Sequence, residues 1–152
     1  MAKRTRQEIY PDTDTFTFKN VNPRNRITGD CAFRAIANGL EKPWVEFVME
    51  MAELSCKTGY AINDNKGIER YLKEQGWKKQ KQPRKADNTK YTGKEFCYMI
   101  QGYSVDRNDE FIPISDRIVA NIGGKHMVAI IDGKGEDIWN STGGTIGNYW
   151  IK

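Results

Sequence analysis

A cysteine stands where the sequence predicts the first turn of a helix. In the segment 28–40, TGDCAFRAIANGL, apolar residues recur at helical spacing after Cys31, and Thr28 or Asp30 can cap the helix. A thiol reacts as thiolate, and the unpaired N–H groups and dipole of a helix start lower its pKa. The same amides can stabilise a tetrahedral oxyanion. Cys31 is therefore the candidate nucleophile, and Asp30, whose charge disfavours a thiolate, is expected to cap the helix.

The other two cysteines lack such a position. Cys56 lies beside polar Ser55 and Lys57, and Cys97 falls inside a predicted helix, so we interpret both as ordinary free thiols, the commoner state of an unpaired cysteine. Three cysteines without paired spacing argue against a disulfide framework and a zinc ribbon. We predict neither a metal nor a cofactor.

The chain has one histidine, His126, which follows the Gly123-Gly124 turn signal and opens the most apolar predicted strand. An imidazole titrates near neutral pH and is the usual base beside a thiol or hydroxyl nucleophile. Strand pairing would hold its backbone rigidly at one edge of the sheet. We therefore expect Cys31 and His126 to meet, although 95 positions separate them in the chain.

A third group should fix the tautomer of the imidazole. If the strand from His126 forms a hairpin around residues 132–135, its partner residue falls between positions 139 and 142, depending on turn length. Asn140 is therefore our first choice, with hydrogen bonding to its own backbone as the alternative role. Asp137 lies about 10 Å nearer the turn and ranks second. Trp139 could pack over the Cys31–His126 pair or fill the core, and the core is the commoner place for a tryptophan.

Two further sets of polar residues have less specific signals. Asn25 and Asn22, in the loop before Cys31, are candidate side-chain donors to an oxyanion. The net charge of +4 is concentrated largely in a run after residue 77, which could hold nucleic acid or an acidic partner but is more typical of a solvated loop. No aromatic residue interleaves with this basic patch, so stacking on bases is not favoured; its members are Lys78, Lys79, Lys81, Arg84 and Lys85.

The spacing of apolar residues along the rest of the chain predicts that helices come first and that most strands come last. After a short strand at 13–19, apolar stripes indicate helices at 28–40, 43–54, 64–76 and 92–100. Four extended segments then read as an antiparallel meander, at 117–122, 126–132, 136–141 and 146–151. This pattern indicates an α+β domain in which N-terminal helices pack on a C-terminal antiparallel sheet.

With 152 residues, the chain fits one domain, 1–152, and stretches 1–12 and 78–90 are predicted to be flexible. The basic start lacks the apolar stretch of a secretion signal, and no run approaches membrane-spanning length. We therefore expect a soluble cytoplasmic protein that does not contact a membrane.

The segments GDCAFRAIA (29–37), KHMVAI (125–130) and WNS (139–141) together resemble the papain-like superfamily of cysteine peptidases. The order Cys, His, Asn and the Asn-Ser pair look like papain. The cysteine helix is more similar to that of ovarian-tumour deubiquitinases, whose motif reads Asp-Gly-Asn-Cys-Leu-Phe-Arg-Ala, with Thr28 and Asp30 replacing its Asp and Asn. The length and C-terminal pattern also resemble small bacteriophage and bacterial proteins related in outline to bacteriocin-leader peptidases.

The resemblance implies a papain-like fold with Cys31 as nucleophile, His126 as base and Asn140 as orienter. The expected activity is a cysteine peptidase or isopeptidase-like hydrolysis of a peptide or protein, in the host cytoplasm if the chain is encoded by a phage. The alternative is an inactive papain-like module that binds a protein or nucleic acid through its basic face.

Overall fold

In the computed structural model, residues 2–105 and 111–152 are described, and they form an α+β fold with five helices and a six-stranded mixed sheet. The helices and strands follow one another in this order along the chain: α1 (Arg6–Ile9), β1 (Phe16–Phe18), α2 (Cys31–Gly39), α3 (Trp44–Thr58), α4 (Asn65–Glu74), β2 (Lys78–Gln80), α5 (Gly93–Ile100), β3 (Arg117–Ile122), β4 (His126–Ile131), β5 (Lys134–Asp137) and β6 (Ile146–Ile151). The predicted α+β class is confirmed.

The sheet differs from the predicted meander. Its strand order is β1-β5-β4-β3-β6-β2, so β6 pairs with β3 rather than with β5. The reason is that β1 runs parallel to β5 and occupies the edge that a meander would have left for β6. The chain therefore crosses back after β5 and adds β6 at the free edge of β3.

The turn between β4 and β5 contains two residues. Asp132 and Gly133 both have positive φ, 49° and 76°, and Ile131 pairs with Lys134. Two residues with positive φ form the type of turn whose twist matches that of the flanking strands. This turn fixes which residues of β5 stand opposite those of β4.

Two apolar clusters lie on opposite faces of the sheet. Val119 and Met127 belong to a cluster with α2, α3 and α4, whereas their neighbours Ile118 and Val128 belong to a cluster with α5. Alternate residues of a strand point to opposite faces, so helices cover both sides. The sequence predicted the helix at 92–100 but did not specify which face of the sheet it would cover.

The two stretches predicted to be flexible contain regular structure. The first includes α1, which begins with a capping box between Thr5 and Glu8. The second begins with β2, an edge strand paired with β6, and includes a bridge between Arg84 and Lys90. A lysine-rich segment is suited to the edge of a sheet, because its charges disfavour further pairing with other chains.

Within residues 2–105 and 111–152, the helices are all too short or too polar to span a membrane.

Candidate active site

Cys31 is the first residue of α2, and the helix packs against β4 through Ala35, Ile36 and Ala37, which are almost completely buried. The Cys31 side chain is half-buried. The helix start thus lies against the strand that begins with His126, and the His126 side chain is the main influence that lowers the pKa of the Cys31 thiol. The apolar stripe visible in the sequence is what turns Cys31 toward the sheet.

His126 is held on two sides. Its Nε2 lies 2.5 Å from Oδ2 of Asp137, at the end of β5. Its ring also contacts Trp139, with 4.9 Å between ring centroids. Trp139 is half-buried, so of its two predicted roles the structure contains the packing against the Cys31–His126 pair and not the filling of the core. Because Asp137 occupies Nε2, Nδ1 is the ring atom that remains for Cys31.

These contacts favour the charged forms of both groups. The hydrogen bond from His126 lowers the pKa of the Cys31 thiol despite partial burial, assisted by backbone N–H groups of Met127 and Ala32. Burial alone would lower the pKa of His126, but hydrogen bonds to Asp137 and Cys31 outweigh it and raise that pKa to about 9. The geometry therefore shifts this pair toward a thiolate beside an imidazolium.

Asp137, and not Asn140, contacts the imidazole. The register of the hairpin pairs Ala129 with Glu136, and continued toward His126 it sets Trp139 opposite His126 and Asp137 two places nearer the turn. Diagonal neighbours of this kind are within reach of long side chains. The estimate of 10 Å between Asn140 and Asp137 along the strand overlooked this diagonal contact.

Asn140 lies beyond the end of β5, and its Oδ1 accepts hydrogen bonds from the N–H (3.1 Å) and hydroxyl (2.6 Å) groups of Thr142. The predicted contact of Asn140 with His126 is therefore wrong, and its alternative role in a local turn is what the structure contains. The chain leaves the strand at Asp137, which no local signal in the sequence marks.

A buried ion-pair network extends from Asp137 to the residue before Cys31. Arg34, in α2, contacts Oδ1 of Asp137 through Nη2 at 3.3 Å and Asp30 through Nη1. Asp30 makes no side-chain cap, which corrects the expectation that it caps the helix. Its Oδ2 instead accepts from Asn22 Nδ2 at 3.2 Å and from Trp44 Nε1 at 3.1 Å.

Arg34 is the residue that sequence reasoning missed, and its i, i+4 spacing from Asp30 was the available signal.

The predicted oxyanion donors lie elsewhere. Asn22 is buried, with its amide group on Asp30 and its carbonyl oxygen on the N–H of Arg24. Asn25 is exposed in the loop, with a φ of 52°. Neither lines the cavity next to Cys31, so the prediction placing them there is wrong. The asparagines that do line it are Asn63, Asn65 and Asn121.

Two cavities adjoin the pair, one on each side. The Cys31 cavity has a volume of about 450 Å³, and its mixed lining includes the apolar Phe33, Ile68, Met127 and Trp150 together with charged and amide side chains. The His126 cavity, of about 370 Å³, is lined by Ile122, Trp139, Asn140, Ser141 and the glycines at 123, 143 and 144. Lys125 borders both cavities. Cys31 thus lines one cavity and His126 lines the other.

Much of the basic patch is engaged within the chain. Lys79 pairs with Glu69 at 3.1 Å, and its ammonium lies 5.6 Å from the centroid of the Trp150 ring. Lys85 pairs with Glu95 at 2.6 Å. Arg84 donates to Gln82 and to the carbonyl of Asn88. These internal partners reduce the charge that the patch offers to a polyanion.

The other thiols lie outside this arrangement. Cys56 is exposed on α3, and Cys97 is buried in α5. Among residues 2–105 and 111–152, no three His, Cys, Asp or Glu side chains are grouped closely enough to hold a metal ion.

Comparisons with protein-family models, with curated proteins and with solved structures returned no match for the chain.

Proposed function

We propose that the chain is a papain-like cysteine hydrolase that cleaves peptide or isopeptide bonds. Cys31 is its nucleophile, His126 its acid and base, and Asp137 the group that orients the imidazole. The observation that carries this proposal is the row of Cys31, His126 and Asp137: the His126 side chain is the main influence that lowers the pKa of the thiol, and Asp137 Oδ2 lies 2.5 Å from His126 Nε2. A nucleophile, a base and a third orienting group in this order characterise nucleophilic acyl transfer.

The chemistry follows from the charges in the row. The Cys31 thiolate attacks the carbonyl carbon, and the negative charge that moves to the oxygen is met by N–H groups at the start of α2. As the C–N bond breaks, His126 gives its proton to the departing amine. An acyl-enzyme remains. Neutral His126 then takes a proton from water, whose oxygen attacks the thioester and releases the carboxylic acid and Cys31.

The two cavities support an extended substrate that crosses the site. The acyl group must reach the sulfur and the helix start, so its side of the substrate belongs in the Cys31 cavity. The amine must receive the proton from His126, so the leaving side belongs in the cavity lined by Trp139. Separate cavities beside the nucleophile and beside the base fit an internal bond of a chain or an isopeptide better than a small terminal substrate.

The alternative, an inactive module that binds through its basic face, has less support. Lys79, Arg84 and Lys85 have partners within the chain, and pairing reduces the counterion release on which nucleic-acid affinity depends. An inactive module also has no need for a thiol whose pKa is lowered beside an imidazolium.

Alkylation by iodoacetamide, resolved by peptide mass spectrometry, tests the proposal. We expect rapid labelling of Cys31 at about pH 6, where ordinary thiols are protonated. Exposed Cys56 in the same molecule is the internal reference. His126→Ala should slow labelling of Cys31 at that pH by at least about tenfold because the thiolate loses its main hydrogen-bond donor. Equal rates for Cys31 and Cys56 at every pH would rule out the ion pair.

A further inference from the structure

Arg34 occupies an unusual place for an arginine. It is 5% exposed, and its guanidinium lies between the carboxylates of Asp30 and Asp137, themselves 5% and 4% exposed. Arg34 is on the second turn of α2, Asp30 directly precedes that helix, and Asp137 ends β5. One side chain therefore links the helix that carries the nucleophile to the strand that orients the base.

Both carboxylates have a direct connection to the reacting pair. Asp137 uses Oδ2 for His126 and Oδ1 for Arg34 and for the N–H of Ile138. Asp30 is the chain neighbour of Cys31. Its negative charge disfavours a thiolate at the next residue, and the Arg34 guanidinium offsets that charge.

Stability alone does not explain the arrangement. Burying charges is costly, and apolar side chains of similar volume often serve a core equally well. Within the described part of the chain, Arg34 Nε also has no hydrogen-bond partner, which a side chain placed only for stability would be expected to have. The planar fork of arginine is suited to holding two carboxylates at fixed positions.

We propose that Arg34 is a positioning residue for the Cys31–His126 pair: it fixes Asp137 against the imidazole and neutralises Asp30 beside the nucleophile. This inference rests on the proposed function and deepens it. Arg34 touches neither substrate nor the reacting atoms, so it acts through the two aspartates. A lysine at position 34 would keep the positive charge but not the planar guanidinium that contacts both carboxylates. A methionine would remove both.

Other charged groups near the network do not replace Arg34. Glu136, the neighbour of Asp137, contacts Lys19 and Asn38. Arg6 donates through Nε to the carbonyl of Ile138 at 2.6 Å and is not paired with Asp137 there. Asp30 meets two uncharged donors besides Arg34, Asn22 and Trp44. Arg34 is the cation that contacts both buried carboxylates.

The test is the pH midpoint of Cys31 alkylation in three variants, measured with the full chain at a temperature where each is folded. Arg34→Met should move the midpoint up by about one pH unit because two negative charges lose their counterion. Asp30→Asn should move it down because a carboxylate beside the thiolate disappears. Arg34→Lys should keep the midpoint near the wild-type value but reduce acylation by an activated ester about tenfold, since one ammonium cannot hold both carboxylates.

Opposite shifts separate positioning from a purely structural role, because variants that only destabilise the fold have no reason to move the midpoint in different directions. Unchanged midpoints in Asp30→Asn and Arg34→Met, with only a lower melting temperature, would overturn the inference while leaving the proposed function intact. If Arg34→Met does not fold, the same decision rests on Asp30→Asn and Arg34→Lys. Failure of the proposed function has a different signature, a wild-type Cys31 that labels no faster than Cys56.

Discussion

Helices α2 and α5 each bring a cysteine to the sheet, one on each face, and the two thiols have opposite properties. Cys31 starts its helix, is half-buried and has its pKa lowered chiefly by His126. Cys97 lies in the middle of its helix, has no exposed surface, and burial raises its pKa to about 12. Placement at the helix start beside a proton donor, rather than the residue type, therefore determines which thiol can react.

The same contrast extends to the surroundings of each thiol. The α5 face is built from apolar residues such as Phe96, Met99 and Ile130. The start of α2 instead adjoins three buried charged residues and the Cys31 cavity. Low polarity keeps a thiol neutral, whereas fixed donors and paired charges favour its ionised form. The predictions below test this difference, beginning with the largest expected effect.

Removal of the two thiols should have very different consequences for acyl transfer. Cys31→Ala should reduce the acylation burst with an activated ester such as p-nitrophenyl acetate by at least about a thousandfold, because the nucleophile is lost. Cys97→Ala should leave the burst within about twofold, since that thiol is neutral and enclosed. Equal losses in both variants would show that the ester reports folding rather than chemistry.

Asp137 and Asn140 form a matched pair for the orienting role. Asp137→Asn should slow acylation by about a hundredfold, because an amide cannot stabilise the imidazolium as a carboxylate does. Asn140→Ala should slow it less than about threefold, since its side chain binds Thr142. A larger effect at Asn140 than at Asp137 would contradict the geometry of the row.

The single histidine allows its protonation to be followed directly. We expect the imidazole of His126 to titrate by NMR with a midpoint of about 9, so it keeps its proton through neutral pH. Asp137→Asn should lower the midpoint most, and Cys31→Ala should lower it less, by about one unit, following the order of their contributions. Cys97→Ala serves as the control and should not move it. If the wild-type midpoint lay near the ordinary value for histidine, His126 would not favour the thiolate of Cys31, and the proposed difference between Cys31 and Cys97 would be contradicted.

The smallest effect is expected from the thiol of α5 on stability. Cys97→Ala leaves a small cavity next to Phe96 and should lower the free energy of unfolding by about 1 kcal/mol. The denaturant midpoint should fall, while the alkylation rate of Cys31 stays unchanged. A change in that rate would mean that the two faces of the sheet are coupled.

Local patterns in the sequence were sufficient for α2 to α5 but not for the short α1 or for the arrangement of the sheet. The stripe after Cys31 and the capping signals at Asp64 and Thr92 predict helices because neighbours in sequence determine them. The pairing of β1 with β5 joins residues more than 100 positions apart. No periodicity encodes such a contact, so the crossover to β6 was not foreseen.

The same limit applies to the candidate site. A nucleophile at a helix start and a histidine after a glycine turn are local features, and their residue types suggested the pair. Asp137 and Arg34 acquire their contacts through the diagonal of a hairpin and the packing of α2 on β5. Ranking Asn140 above Asp137 treated distance along one strand as distance in space.

The two-residue turn at Asp132 and Gly133 therefore has a consequence for how such sites diversify. If the same chain closed this turn with three residues, Asn140 rather than Trp139 would stand opposite His126, and every side chain of β5 would change faces. Turn length thus acts as a selector between an anionic and an amide partner for the imidazole. A single deletion in the turn, remote from the sulfur, would have the same effect if the loop kept two residues.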